Sequence, residues 1–213
     1  MNVSAEAWTR LLSAGAARFY EPGAILLRQG ERASHVLVLV AGHVKAIRTS
    51  SDGSVLVLGV RGPGEILGDL AVLGGGRRSA TVTAVDRCET RIIPADRFLL
   101  LVRSLGLETE LLQHMMSRIR EGEAWRAELA LLAAGPRLAR TLIRLAVPGP
   151  DGAADVSLDQ TELGQAAGLS RSTVAAELAR LRELGIVATT RRRIIITDLH
   201  RLQNLTESTG GNV

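Results

Sequence analysis

The chain has little of several residue types that would otherwise narrow its chemistry. It carries one cysteine, Cys88, in 213 residues. A single thiol excludes an internal disulfide, and it excludes an iron–sulfur cluster held by the protein, which needs about four ligands. Five aromatic residues (two Trp, one Tyr, two Phe) are too few for base stacking along a single nucleic-acid strand. Lysine is nearly missing: Lys45 stands alone among the 26 basic residues, so the rest are arginine. No apolar run approaches the ~20 residues of a membrane-spanning helix, and the N-terminus lacks a basic-then-apolar secretion pattern. The expected location is therefore the cytoplasm. The histidines His35, His43, His114 and His200 show no metal spacing, and no Ser/His/Asp or paired-carboxylate arrangement supports catalysis.

What is present is 46% hydrophobic residues, ample for two modest cores, and a mild net charge of +4. The charge is weak evidence for nucleic acid, but arginine suits phosphate because its guanidinium forks onto two oxygens. Cys88 lies in the alternating run 85–93, which makes it a buried strand thiol. His43 follows a glycine turn and is assigned a structural role.

Texture divides the chain. Residues 19–104 are a succession of short β-branched runs (24–27, 36–40, 44–48, 55–60, 81–85, 90–93) punctuated by glycine. Even spacing of such runs indicates an antiparallel sandwich or roll. Asp52-Gly53 is a two-residue hairpin signal. From about residue 107 the pattern changes: 107–134 contains no proline and one glycine, and it reads as one helix of roughly seven turns. Leu112, Met115, Ile119, Gly122, Arg126 and Leu129 alternate steps of three and four, the spacing of a coiled-coil seam, which predicts a homodimer. Gly122 and Arg126 loosen its middle, while Leu111 and Leu132 form a second edge toward the roll. Gly135-Pro136 is the expected end of this helix and the hinge to the next, 137–146.

Residues 159–182, DQTELGQAAGLSRSTVAAELARLR, carry the strongest signal. A first helix from about Gln160 to Ala167 buries Leu163 and Ala167. Gly168 then supplies a left-handed stop. Ser170 caps a second helix that buries Val174, Leu178 and Leu181. Gly164 lets the two helices approach where they cross. This is a helix–turn–helix, with Arg171 placed to meet DNA. Two short strands, 185–187 and 193–197, follow it as a hairpin wing, with Arg191, Arg192 and Arg193 at its tip or edge.

In this order the elements resemble the Crp–Fnr family of transcription regulators, over nearly the whole chain. The expected architecture is α+β: an N-terminal antiparallel β-roll of the cyclic-nucleotide-binding type (1–106), a long dimerisation helix (107–134) and a C-terminal winged helix–turn–helix domain (135–213). The segments GEILGDLA (64–71) and RSATV (78–82) are similar to the family's phosphate-binding cassette. The resemblance implies a ligand set of Gly68, Asp69, Leu70, Arg78 and Ser79. Free N–H groups at a short helix beginning near Asp69, with Arg78 and Ser79, would face a cyclic phosphate. Asp69 stands where the family's nucleotide binders place glutamate against the ribose 2′-hydroxyl, and it is one methylene shorter. Counting back from Gly135-Pro136 puts Gly122 and Glu123 at the Thr-Ser pair that meets adenine in cyclic-AMP-responsive members. A carboxylate there favours N–H donors such as a guanine edge, and Trp125 lies near the pocket in this reading. The implied effector is a cyclic nucleotide, cyclic AMP or cyclic GMP, or another small ligand. Constitutive DNA binding with a vestigial pocket, and a sensor module acting through protein partners, are the alternatives.

On the DNA side the resemblance implies contacts from Gln160, Ser170, Arg171, Ser172, Thr173, Arg191 and Arg192. Arg171 would take a guanine O6/N7 pair, Thr173 a phosphate or a thymine methyl, and the wing arginines phosphates. Ser172 and Ala176 replace a glutamate and an arginine of the best-known members, so their target sequence does not carry over. The loop 148–155 corresponds to a surface that touches RNA polymerase in the family's activators.

Overall fold

The computed structural model describes residues 4–148, 153–190 and 193–207. They group into two compact units, Met1–Thr49 with Arg61–Gly122, and Ser50–Val60 with Glu123–Val213.

The first unit opens with helix α1 (Ala5–Ala14), whose N-cap Ser4 accepts the Ala7 amide. Strands β1 (Ala16–Tyr20), β2 (Ile25–Leu27), β3 (His35–Ala41), β4 (Val44–Thr49), β5 (Val55–Arg61) and β6 (Ile66–Leu67) follow, β5 lying mostly in the residues grouped with the second unit. A short helix α2 (Asp69–Leu73) precedes β7 (Thr81–Ala84), β8 (Cys88–Pro94) and helix α3 (Ala95–Leu105). One sheet has the order β1-β8-β3-β6; in the other, β7 lies between β2 and β4. The pairings are antiparallel, as expected of a roll. The run VLVLV in β3 is apolar at every position because both of its faces are covered. Val36 and Val38 join a core with Phe98, Val102, Leu107 and Leu111, and Leu37 and Leu39 join one with Val44, Val82 and Cys88.

Helix α4 (Glu108–Leu131) is the long helix. It stops earlier than its composition suggests. Helix α5 (Ala134–Leu145) begins before Gly135-Pro136 and takes both into its first turn, so the break falls at 132–133. Proline is tolerated there because first-turn amides have no intrahelical acceptor. The 50–54 loop closes where Asp52-Gly53 indicated, but with five residues: the Ser50 amide donates to Ser54 O, and the Ser54 amide and hydroxyl donate to Asp52 Oδ1. The Asp52 side chain thus builds a wider turn than the dipeptide alone implies.

The second unit continues with β9 (Val147–Pro148), β10 (Ala154–Val156), α6 (Gln160–Ala167), α7 (Arg171–Glu183), β11 (Val187–Thr189), β12 (Ile194–Ile196) and α8 (Leu199–Glu207). Its sheet has the order β11-β12-β10-β9, so the wing is backed by two further strands drawn from the ends of the polar loop. Leu138, Leu142, Leu163, Val174, Leu178, Ile186, Ile194 and Leu202 are among its buried residues. No helix among the described residues is long and apolar enough to cross a membrane.

Candidate functional site

The helix–turn–helix is built by local capping. Asp159 Oδ1 accepts the Thr161 and Glu162 amides at 2.8 Å, and the Glu162 side chain accepts the Asp159 amide at 3.2 Å, a reciprocal cap that fixes where α6 starts. The D-x-x-E spacing at 159–162 encodes it in the sequence. Gly168, at φ 60°, ends α6 in the left-handed region. A Cβ on Gly164 would lie 2.7 Å from Leu169 O and 3.7 Å from Val174 Cγ2, so the two helices do meet at that glycine.

Ser170 Oγ accepts the Thr173 amide at 3.1 Å and lies 2.8 Å from both Ser172 Oγ and Thr173 Oγ1. Three hydroxyls therefore cluster at the N-terminal end of α7, beside the exposed Arg171. Gln160 and Arg171 line one cavity of about 430 Å³ together with Thr161, Thr189, Thr190 and Arg193. Arg193 lies in the turn between the wing strands, where its carbonyl accepts the Thr190 amide at 2.8 Å, but its side chain folds back from the tip. Its guanidinium is bound by the carboxylate of buried Asp155, which also accepts the Ser157 hydroxyl at 3.1 Å. Arg191 and Arg192 lie outside the described residues, as do 149–152 of the 148–155 loop.

In the roll, Gly68 adopts φ 82° and caps α2, beginning at Asp69, as the cassette requires. Arg78, however, is buried and engaged with the backbone: Nη1 donates to Gly68 O at 2.8 Å and Nη2 to His35 O. A Cβ on Gly68 would overlap that guanidinium. Burial lowers the Arg78 pKa from its usual value, against the opposing pull of Glu31 and Asp69. Ser79 is exposed and Leu70 is 44% exposed.

Asp69 is 1% exposed, and its Oδ1 takes Arg118 Nη1 of α4 at 3.3 Å. Its other oxygen, Oδ2, is buried without a hydrogen bond. Around this pair, Arg61 lies 3.8 Å from Glu121, and His114 Nε2 lies 3.1 Å from Glu65 Oε2, an approach not aligned as a hydrogen bond. Burial, then the neighbouring Arg118 charge, lowers the Arg61 pKa. Sequence reasoning missed Arg61, Glu65, His114, Arg118 and Glu121, because only the fold sets α4 beside the cassette. Gly122 is one turn beyond Arg118 with open space around it, and Glu123 is exposed. Trp125 is not a pocket residue of the roll. It is buried in the second unit, where its indole N–H donates to Ala166 O of α6 at 3.2 Å and Arg144 stacks on its ring at 4.9 Å.

Cys88 and His43 are structural, as expected. The thiol is fully buried, lies 3.3 Å from His43 O and is pushed up to about 11, chiefly by burial. The His43 amide donates to Asp86 Oδ1 at 2.6 Å, and its ring Nδ1 lies 2.8 Å from Oδ2.

Comparison with known proteins places both halves. Residues 17–104 match the cyclic nucleotide-binding domain, and residues 136–205 match the Crp-like helix-turn-helix domain. The chain is 31% identical over 171 residues to the cyclic AMP receptor protein of Thermus thermophilus, covering 80% of this chain and 78% of that one. It is 28% identical over 184 residues to the cAMP-activated global transcriptional regulator CRP of Salmonella typhimurium, covering 83% and 87%. Among solved structures, a CRP/FNR-family transcriptional regulator from Thermus thermophilus superposes with a TM-score of 0.73 at 23% identity, over 92% of this chain and all of that one. The c-di-GMP-responsive global regulator CLP of Xanthomonas campestris does so with a TM-score of 0.73 at 22% identity, over 91% and 99%. A glycine-punctuated roll with its cassette, a long helix and a winged helix–turn–helix, found in this order and matched on both domains, make the chain a member of the Crp–Fnr family of DNA-binding transcription regulators.

Proposed function

We propose that the protein works in the cytoplasm as a homodimer, reads a roughly palindromic DNA site through Arg171, and is controlled by a cyclic nucleotide in the roll. The dimer is supported by α4, on which Leu112 and Ile119 of the expected seam are 58% and 52% exposed; Met115 packs instead on the first unit's core, and Met116, 44% exposed, completes an apolar stripe that a second copy would cover. Two recognition helices would then enter successive major grooves ~34 Å apart. Gln160, Ser170, Ser172 and Thr173 form the polar set around Arg171; Arg191 and Arg192 complete it as phosphate contacts. RNA polymerase is the expected protein partner, through the 148–155 loop.

The observation that carries ligand control is Asp69 Oδ2. A buried carboxylate oxygen without a donor is costly, on the order of 1–3 kcal/mol, and a ribose hydroxyl is a donor of the right kind. The phosphate would be held by the amides at the start of α2 and by Ser79, and would compete with Gly68 O and His35 O for Arg78. Gly122 leaves room for a base, and Glu123 offers an acceptor to its N–H edge. The ligand acts by binding one of two arrangements better than the other.

One observation favours a second reading. Arg78 already gives an N–H from each of its terminal nitrogens to a backbone carbonyl, as it would in a constitutive regulator with a vestigial pocket. Calorimetry with cyclic AMP and cyclic GMP on the full chain separates the two, since saturable heat lost in Asp69→Ala supports control and silence supports the constitutive form. For the DNA side, genomic fragments retained by the protein supply the site. Arg171→Ala should then weaken binding by about 1–3 kcal/mol, roughly five- to 150-fold, with a salt slope near that of the native protein. Unchanged affinity on that site would remove Arg171 from the reading role.

A further inference from the structure

A second charged cavity lies within the helical unit, away from the cassette and from the DNA-reading end of α7. It is a groove of about 710 Å³ walled by the last turns of α4, by α5 and by α8. On one side Glu128 takes Arg140 Nη1 at 3.2 Å and Arg144 Nη2 at 2.5 Å. Two guanidinium groups thus share one carboxylate, which leaves the groove with excess positive charge. Arg140 Nε and Arg144 Nη1 are buried and make no hydrogen bond. His200, Gln203 and Asn204 of α8 face them from the other wall.

We propose that this groove binds a small oxyanion ligand, a metabolite carrying a phosphate or carboxylate groups. Three properties support that class. The excess charge is cationic and comes from arginines, whose planar fork matches a carboxylate or phosphate edge. The two guanidinium groups together carry more N–H donors than the one Glu128 carboxylate takes up, and both side chains are partly exposed, so the pair has donor capacity to spare. The volume of about 710 Å³ is large enough to seat a small ligand. The amide of Gln203 supplies neutral hydrogen bonds that would orient such a ligand without adding charge.

The site is also wired to the DNA-reading half of the unit. Arg144 stacks on Trp125, and Trp125 is hydrogen-bonded to Ala166 O in α6. A ligand that draws the Arg144 guanidinium toward itself changes its stacking on the indole, so Trp125 reports occupancy.

The test uses the full chain with Trp8→Phe, which leaves Trp125 as the one tryptophan. Inorganic phosphate and citrate are titrated at constant ionic strength, set with chloride, while Trp125 emission is followed. A saturable change is expected for at least one of them. Arg140→Gln should weaken it about tenfold or more, the loss of a charge-assisted contact. Gln203→Glu sets a carboxylate in the groove without touching Trp125 and should abolish the response. Circular dichroism confirms that both variants are folded, and Gln203→Glu, on the exposed face of α8, keeps the test alive if Arg140→Gln is not. An emission change that chloride reproduces would overturn the proposal, as would a saturable change undiminished in both variants. Saturation by polyglutamate with none by phosphate or citrate would overturn it too, because the groove would then serve an acidic chain.

Discussion

Gly164 sits in α6 where the chain turns into α7, and adding one methyl there tests how tightly the DNA-reading corner is built. A Cβ at this position would lie 2.7 Å from Leu169 O, about 0.7 Å inside ordinary contact. The carbonyl cannot swing away freely, since the Leu169 amide is bonded to Gly164 O at 2.9 Å in the same turn. Overpacking of this kind costs about 1–3 kcal/mol. The gain in helix propensity from Gly to Ala offsets up to ~1 kcal/mol of it. Gly164→Ala should therefore destabilise the helical unit by about 1–2 kcal/mol and lower its Tm by roughly 4–16 °C. Gly122→Ala is the matched control: it lies inside α4 with nothing within 4 Å of its Cβ position. There the same substitution should stabilise by about 0.5–1 kcal/mol. Urea unfolding followed by far-ultraviolet circular dichroism and by tryptophan emission measures both, and DNA affinity should fall in Gly164→Ala. A Gly164→Ala protein as stable as the native chain, or a Gly122→Ala protein less stable than it, would refute the steric reasoning.

Three further outcomes are expected. Cys88 should be inert to thiol reagents at pH 8 in the folded protein and react on unfolding. Folding raises its pKa from 9.0 to about 11, so its stabilising contribution is complete below pH 9.0 and is lost as pH rises toward about 11, which Cys88→Ala should remove from an alkaline stability profile. His35 runs the other way: burial, and then the Arg78 and Arg18 charges, lower its pKa, so its contribution is complete above the usual value of 6.5 and is lost as pH falls. His35→Gln should flatten that acid limb of the stability curve. Asp155→Ala should destabilise the helical unit by about 1–3 kcal/mol, a range reduced for the partial exposure of Arg193, and should weaken DNA binding by loosening β12; denaturant melts and anisotropy check both.

How much of this was legible depended on the range of the interaction. The helix–turn–helix is written in neighbouring residues: Gly168 for the left-handed stop, Ser170 for the cap, and Leu163, Val174, Leu178 and Leu181 at helical spacing, all of which occupy those roles. The roll's strands follow from β-branched runs between glycines, and Gly68 takes the positive φ that the cassette's backbone needs. Helix ends were less legible. Gly135-Pro136 marks a helix boundary in composition, yet a proline fits a first turn as well as a break, and α5 took it in.

The sequence by itself determined the elements, their order and therefore the family, because capping, turn formation and periodic burial act over a few residues. The tertiary structure alone decided which charges meet. Asp69 pairs with Arg118 across 49 residues, Asp155 holds Arg193 across 38, and Trp125 reaches Ala166 across 41. Arg78 spends its guanidinium on two carbonyls, and Arg140 and Arg144 converge on Glu128, for the same reason. A long side chain takes whichever acceptor packing brings within about 3 Å. That choice is made by surfaces far apart in the chain, and no local pattern encodes it.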